Sequence, residues 1–347
     1  MNFEQMEPTE LVEFTCKQIV RSLKSDNHGS VPFIVGAGIS VSAGVPLSKE
    51  LIDGLSSRLY DEVPNSSDPN YNEVLSRIYS DCVGPNSDDK HFFGKLTFAH
   101  YLRNCGVPSI VDRPLPNTSN LILYNLLSAK IIGPVVSLNV DPLLNSAGLF
   151  ASNTQRRPVF VHNLSQFSSF KNDEASSGIV FQPHGTIDEP YSLRFSEGEL
   201  LSETLSLTRT IFGSISQHSN AVVVVGANLS DGVIFNLLSE MALHCRQNKL
   251  KIILPLHSSD LSDTTKEMIQ LKIREQNRDQ VVVCFATGMD SDEYFSSLRK
   301  ELQKRQNAFR GRGVASPLIL SSYAETEFRS YIYRNCINDN FWSQNKN

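Results

Sequence analysis

The chain has 347 residues, of which 40% are hydrophobic and 20% are charged, and its formal net charge is -5 at neutral pH. This composition is ordinary for a globular protein with a large core, and it does not indicate broad affinity for nucleic acid. Residues 1–10 lack the basic and apolar regions of a signal peptide, and the apolar runs are too short to span a membrane. Six scattered cysteines are typical of a reducing compartment, so we expect a cytoplasmic protein.

The first predicted elements are a helix and a buried strand. Apolar residues at helical spacing predict an amphipathic helix from about residue 10 to residue 24. A short apolar run from Pro32 to Val35 then predicts a strand. This strand leads directly into the segment that says most about function.

That segment is rich in glycine and begins Gly36-Ala37-Gly38, with Ser40 and Gly44 shortly after. Glycines let backbone amide groups approach a phosphate closely, and a helix that starts just after them would favour an anion at its N-terminus. The spacing matches neither a Rossmann fingerprint nor a Walker A loop. We predict that Gly36, Ala37, Gly38 and Ser40 hold a nucleotide pyrophosphate; the alternative is a strand-to-helix turn without a ligand.

The rest of the chain predicts one α/β domain with an inserted helical subdomain and a C-terminal extension. Residues 47–130 show helical patterns broken by polar turns, which predicts an inserted helical subdomain. Strands that then alternate with helices predict a Rossmann-like, mostly parallel sheet with helices on both faces, over residues 1–305. Residues 306–347 change to basic and aromatic clusters, which predicts a C-terminal extension that is either docked or used for interaction.

Two later apolar runs end in polar residues that suit catalysis. The first ends in Asn139-Val140-Asp141 and the second in His184-Gly185. An amide such as that of Asn139 can bind a ribose hydroxyl and a water, and the pKa of a histidine lies near working pH, which suits general-base chemistry. The structural alternatives are that Asn139 closes a turn and that backbone groups satisfy His184.

These motifs in this order resemble those of the sirtuin family over about residues 30 to 305. A fourth matching motif is an apolar strand that runs into Gly226-Ala-Asn228-Leu. The resemblance implies that the chain binds NAD, that Asp141 contacts the nicotinamide carboxamide, and that Gly226 and Asn228 contact phosphate or adenosine. Asn228 stands where sirtuins usually have Ser or Thr.

The sequence departs from protein-deacylating sirtuins at two points. Leu47-Ser48-Lys49 stands where those enzymes have Asp-Phe-Arg, and no two cysteines are close enough to form the Cys-x-x-Cys pairs of a zinc module. The chain therefore resembles the zinc-free sirtuin-like enzymes of bacterial anti-phage systems, which destroy NAD. This resemblance implies NAD+ as substrate, no metal, no permanently bound cofactor, a homo-oligomer, and a partner such as a translocase-type ATPase.

Three functions follow as alternatives. The first is an NAD+ glycohydrolase in which Asn139 positions ribose and water and His184 is the general base. The second is a protein deacylase or ADP-ribosyltransferase, against which the changed Leu47-Ser48-Lys49 region counts. The third is a non-catalytic sensor of NAD or ADP-ribose, which would have no need of a general base such as His184.

Overall fold

The computed structural model describes most of the chain up to residue 305. The described ranges are 1–24, 31–59, 71–84, 89–112, 115–150, 157–163, 178–196, 199–200, 219–227, 232–244, 249–257, 263–273, 279 and 281–305. Asn228 and the predicted C-terminal extension, residues 306–347, lie outside them.

The described part of the chain contains a single eight-stranded sheet in which every pairing is parallel. Its strands are β1 (Asn2–Gln5), β2 (Phe33–Val35), β3 (Val135–Ser137), β4 (Val159–Val161), β5 (Ile179–Phe181), β6 (Ala221–Val225), β7 (Leu250–Pro255) and β8 (Val281–Ala286). The order across the sheet is β1-β8-β7-β6-β2-β3-β5-β4. From β2 the chain first builds the side of the sheet with β3, β5 and β4 and then the side with β6, β7 and β8, so both sides extend from β2 as in doubly wound folds.

The α-helices cover both faces of this sheet. They are α1 (Pro8–Lys24), α2 (Ser48–Leu59), α3 (Tyr71–Val83), α4 (Asp89–Asn104), α5 (Thr118–Ser128), α6 (Leu143–Phe150), α7 (Gly232–His244), α8 (Asp263–Lys272) and α9 (Ser291–Lys304). Apolar residues of α1, α5, α6 and α9 form one core cluster, and those of α7 and α8 form a second. The predicted α/β class, with a parallel sheet and helices on both faces, is therefore confirmed.

Alternation along the central strands explains why two cores form. In β2, Phe33 and Val35 point into the first cluster, whereas Ile34 points into the second. Successive side chains of a strand point to opposite faces, so a strand that is covered on both sides must be apolar at every position. All three residues of β2 are accordingly buried.

Helices α2, α3 and α4 form a separate unit, which we call the helical module. Their apolar faces make a third core cluster together with Ile187, Leu193 and Phe195 from the segment that follows β5. Helix α5, although it lies within residues 47–130, packs in the first core cluster beneath the sheet. The module therefore contacts the sheet domain through the residues that come just after His184.

Candidate active site

The glycine-rich segment lies at the centre of the sheet, where the strand order changes direction. No α-helix begins directly after β2; residues 37–39 and 41–43 form two short 3-10 turns, and α2 starts only at Ser48. The amide of Gly36 donates to Val225 O (3.1 Å), and the amide of Gly38 donates to Gly226 O (2.8 Å). The loop after β2 is thus bonded to the loop after β6.

Close packing of these two loops explains their glycines. A Cβ placed on Gly36 would lie 2.6 Å from Ala227 Cα, and one on Gly38 would lie 2.6 Å from Gly226 Cα. Gly226 itself has a φ of +61°, which side chains other than glycine rarely adopt. Backbone packing therefore requires glycine at these three positions whether or not they contact a phosphate. The phosphate contacts of the three glycines and of Ala37 stay a prediction.

Ser40, Asn139 and Asp141 are brought together by the loops after β2 and β3. All three are buried, and Ser40 has no exposed surface. Asn139 Nδ2 donates to Ser40 Oγ (3.1 Å), and both side chains lie beside the Asp141 carboxyl and help to lower its pKa. The bond to Ser40 orients the Asn139 amide with its nitrogen toward the serine.

Asp141 also holds the start of α6. Its Oδ1 accepts from the amide of Leu143 at 3.0 Å, two residues further on, which is the hydrogen bond of an Asx turn. Burial raises the pKa of Asp141 to about 6, against the opposing effect of hydrogen bonds from Leu143, Ser40 and Asn139. The group can therefore change its protonation state near neutral pH, either accepting or donating hydrogen bonds within the site.

The oxygen of the Asn139 amide differs from its nitrogen in its contacts. Asn139 Oδ1 is buried and has no hydrogen-bond partner among the residues that the structure describes. A buried carbonyl oxygen without a donor is unfavourable, because it has lost its bonds to water. With Nδ2 bonded to Ser40, Oδ1 is the atom of this side chain that can accept a hydrogen bond from a ligand hydroxyl or a water.

His184 follows β5, the neighbour of β3. Its Nδ1 bonds to Arg194 O at 3.0 Å, so in the neutral ring the proton lies on Nδ1 and the lone pair on Nε2. The next residue must be glycine, because Gly185 has a φ of +75° and a Cβ there would lie 2.2 Å from Ser192 O. The His-Gly pair is thus explained by a turn that presents the imidazole.

Backbone and side-chain bonds join the two strand ends. Gln182 Nε2 donates to Asn139 O (3.4 Å), and the amide of Ile187 donates to Val140 O (2.9 Å). Because parallel strands end at the same edge of a sheet, these bonds hold the loops that carry Asn139 and His184 side by side at its carboxyl edge. The structure thus gathers Ser40, Asn139, Asp141 and His184 at one edge, with Gly36, Gly38 and Gly226 at the centre of that edge.

Residues beside this site were not predicted from the sequence. Gln182 immediately precedes the Pro183-His184 pair, and Arg194 and Phe195 contact His184 from ten and eleven residues further along. His162 follows the apolar β4 just as His184 follows β5, and that position was the signal available in the sequence. His162 Nε2 lies 3.5 Å from Glu189 Oε2, and burial lowers the pKa of this histidine.

The described residues contain no group of three histidine, cysteine or acidic side chains that could hold a metal ion. Four cysteines fall within them, Cys16, Cys82, Cys105 and Cys284, and none of these forms a disulfide. None of the helices in this part of the chain combines the length and hydrophobicity needed to cross a bilayer.

Comparisons with known proteins find similar structures, but the two comparisons of sequence find no match. No family model matches the sequence, and no curated protein does. Among solved structures, the chain is similar to one described as "Structural Basis for the Mechanism and Regulation of Sir2 Enzymes". The two are 13% identical, with a TM-score of 0.44, and the match covers 87% of this chain and 100% of the other. At this identity and TM-score the likeness carries no argument about activity.

Proposed function

We propose that this protein is an NAD+ glycohydrolase, which uses water to cleave the bond between nicotinamide and ribose and releases nicotinamide and ADP-ribose. The observation that carries the proposal is Asn139 Oδ1, which is buried at the carboxyl edge of the sheet beside the loop that presents His184 and has no donor among the described residues. A sugar hydroxyl or a water is the kind of donor that this oxygen lacks.

Cleavage of the bond between nicotinamide and ribose needs few catalytic groups, and the site provides groups of the required kinds. Nicotinamide leaves as a neutral pyridine and takes the electron pair of the C1′–N bond, so no general acid is needed. The transition state has the oxocarbenium character of other glycoside hydrolyses. The protein must therefore hold the ribose, tolerate positive charge and deliver a water, and Asn139 Oδ1 suits the first and last of these tasks.

His184 supplies the base. With Nδ1 donating to Arg194 O, the Nε2 lone pair takes a proton from the water as its oxygen bonds to C1′. The carbonyl of Arg194 then stabilises the imidazolium, because both ring nitrogens of that form are donors.

Asp141 supports the same reaction. Its carboxyl is buried beside Asn139 and Ser40 and is held by the amide of Leu143. As a carboxylate it also offers negative charge to the oxocarbenium ion and an acceptor to the nicotinamide carboxamide, the contact that the sirtuin resemblance implies.

A role in anti-phage defence is part of the proposal and is supported by the sequence resemblance. Unrestrained loss of NAD would kill the host cell, so such an enzyme has to be held inactive until infection. We therefore propose that the chain forms a homo-oligomer and responds to a partner such as a translocase-type ATPase.

The testing experiment is NAD+ consumption by the purified chain without acylated peptide, with products separated by liquid chromatography. Wild type should release nicotinamide and ADP-ribose, His184→Ala should not, and the control His100→Ala, an exposed histidine of α4, should match wild type. Turnover that needs an acylated peptide would indicate a deacylase. Binding of NAD+ without turnover, in the presence of the partner as well, would indicate a sensor.

A further inference from the structure

Two consecutive residues, Arg194 and Phe195, fix the His184 side chain. The Arg194 amide donates to His184 O (3.1 Å), and Arg194 O bonds to His184 Nδ1 (3.0 Å). The Phe195 ring stacks on the imidazole, with ring centroids 5.2 Å apart and an angle of 19° between the planes. One residue therefore bonds the edge of the histidine ring and the next covers its face.

The Phe195 ring is in turn held by the helical module. It contacts Tyr79 of α3 at a centroid distance of 5.6 Å and Phe98 of α4 at 5.4 Å. Tyr79 and Phe98 also pack edge-to-face on each other at 5.2 Å. These rings belong to a single aromatic cluster that begins in the module and ends at His184.

Polar contacts tie the same segment to the same two helices. Tyr79 Oη donates to Leu193 O at 2.8 Å, Lys95 Nζ to Tyr191 O at 3.4 Å, and Arg103 Nη2 to Ile187 O at 3.3 Å. Residues 187–195, which follow His184, are therefore bonded to α3 and α4 at several points along their length.

We infer that Phe195 is a positioning residue for His184 and that helices α3 and α4 control the position of Phe195. The hydrogen bond at Nδ1 holds one edge of the imidazole, and a general base works only when its lone pair points at the proton it takes. The Phe195 ring, stacked on the face of the imidazole, restricts rotation of the ring plane. The inference rests on the proposed function for its kinetic consequence, whereas the geometry it asserts can be measured without turnover.

The helical module then has a role in orienting the His184 ring. A partner that moved α3 and α4 relative to the sheet would turn the His184 ring without touching it, because the aromatic cluster transmits the movement. The module would then set the fraction of molecules with an aligned base.

The first test is NMR of the histidine ring protons in the full chain. The His184 signal, identified by its loss in His184→Asn, should lie upfield in wild type because of the Phe195 ring and should move downfield in Phe195→Leu. The control is Phe295→Leu, a core substitution in α9 that loses a stack on Phe33 and touches neither the module nor His184. The inference is overturned if Phe195→Leu leaves the His184 signal in place, or if Phe295→Leu moves it equally.

A second NMR test examines the helical module with the variant Phe98→Leu, since Phe98 of α4 contacts Phe195. This variant should move the His184 signal in the same direction as Phe195→Leu, and an unchanged signal would overturn the role of α4. Phe195→Tyr keeps a ring and should restore the wild-type signal, which also shows that the fold survives substitution at this position.

Kinetics then connects the geometry to activity. Phe195→Leu should lower kcat about tenfold with KM little changed and should shift the pH profile of kcat, whereas Phe295→Leu should change neither. A changed NMR signal in a chain that never hydrolyses NAD+ would support the positioning and refute the proposed function. An unchanged NMR signal of His184 in a Phe195→Leu variant of an active enzyme would refute the positioning by Phe195 and support the proposed function.

Discussion

Asn139 Nδ2 lies 3.1 Å from Ser40 Oγ, although the two residues are 99 positions apart in the sequence. This bond joins the loop after β2 to the loop after β3, and it gives Ser40 a structural role in addition to the phosphate contact that the sequence predicts. Ser40 is completely buried and holds the amide of Asn139 so that Oδ1 remains the available acceptor. In the proposed enzyme, Ser40 would therefore contribute to catalysis by orienting Asn139.

Replacing Ser40 by alanine tests this role. We expect kcat for NAD+ to fall by up to about a hundredfold with little change in KM, because the Asn139 amide loses the acceptor that orients it. Steady-state kinetics of NAD+ hydrolysis measures both constants. The matched control is Ser42→Ala, from the same loop, which loses a 2.6 Å bond to Asp292 and should lower stability without lowering kcat. An increase in KM alone would make Ser40 a binding residue.

The raised pKa of Asp141 predicts a pH-dependent stability. Its ordinary value is 3.8 and burial raises it to about 6, so the folded state favours the protonated form. The stability that this carboxyl contributes is fully present below about pH 4 and is lost as the pH rises through about 6. A shift of roughly two pH units corresponds to about 3 kcal/mol.

Asp141→Asn isolates that effect, since an amide stays neutral at every pH. Relative to wild type, the variant should gain up to about 3 kcal/mol in free energy of unfolding between pH 4 and pH 7. Urea denaturation of both proteins at several pH values measures the difference. If the difference were constant over this range, Asp141 would titrate alike in the folded and unfolded states.

Gly38→Ala tests whether the glycine-rich segment is set by packing. Its Cβ would lie 2.6 Å from the backbone of Gly226, so we expect a loss of about 3 kcal/mol in stability. Gly84→Ala is the comparison: its φ is +70° with no atom within 4 Å of the added Cβ, and we expect a cost of about 1 kcal/mol from backbone strain alone. Chemical denaturation measures the free energy of unfolding of both variants. Equal stabilities, with only NAD affinity reduced in Gly38→Ala, would favour direct phosphate contact instead.

An ion pair between Lys95 and Glu199 joins the module to the segment that follows His184. The two groups lie 3.3 Å apart, and Lys95 is buried whereas Glu199 is partly exposed. Lys95→Met should destabilise the protein by about 2 kcal/mol because Glu199 loses its cationic partner, and Lys95→Met with Glu199→Leu should recover most of that loss.

A double-mutant cycle by urea denaturation tests this coupling. The exposed pair Lys17 and Glu13, 3.6 Å apart on α1, provides the control, and Lys17→Met should change stability by less than about 0.5 kcal/mol. If the losses at Lys95 and Glu199 were additive, the two groups would not interact.

Apolar runs in the sequence predict most strands of the sheet, because a strand covered on both faces must be apolar throughout. Residues 33–35 and 221–225 meet that condition, and they form central strands. The strand Asn2–Gln5 could not be found in this way. It lies at the edge of the sheet and is mostly exposed, so its sequence carries no apolar run, and only its pairing with β8 makes it a strand.

The α/β class and the candidates Asn139 and His184 could be predicted from the sequence, because they depend on short segments whose spacing and residue types can be read directly. The surroundings of these two residues depend on the tertiary structure. The partners of His184 are Arg194 and Phe195, and those of Phe195 lie on α3 and α4, about a hundred residues earlier. Such contacts come from chain segments that fold back on one another, and no local pattern of residues encodes them.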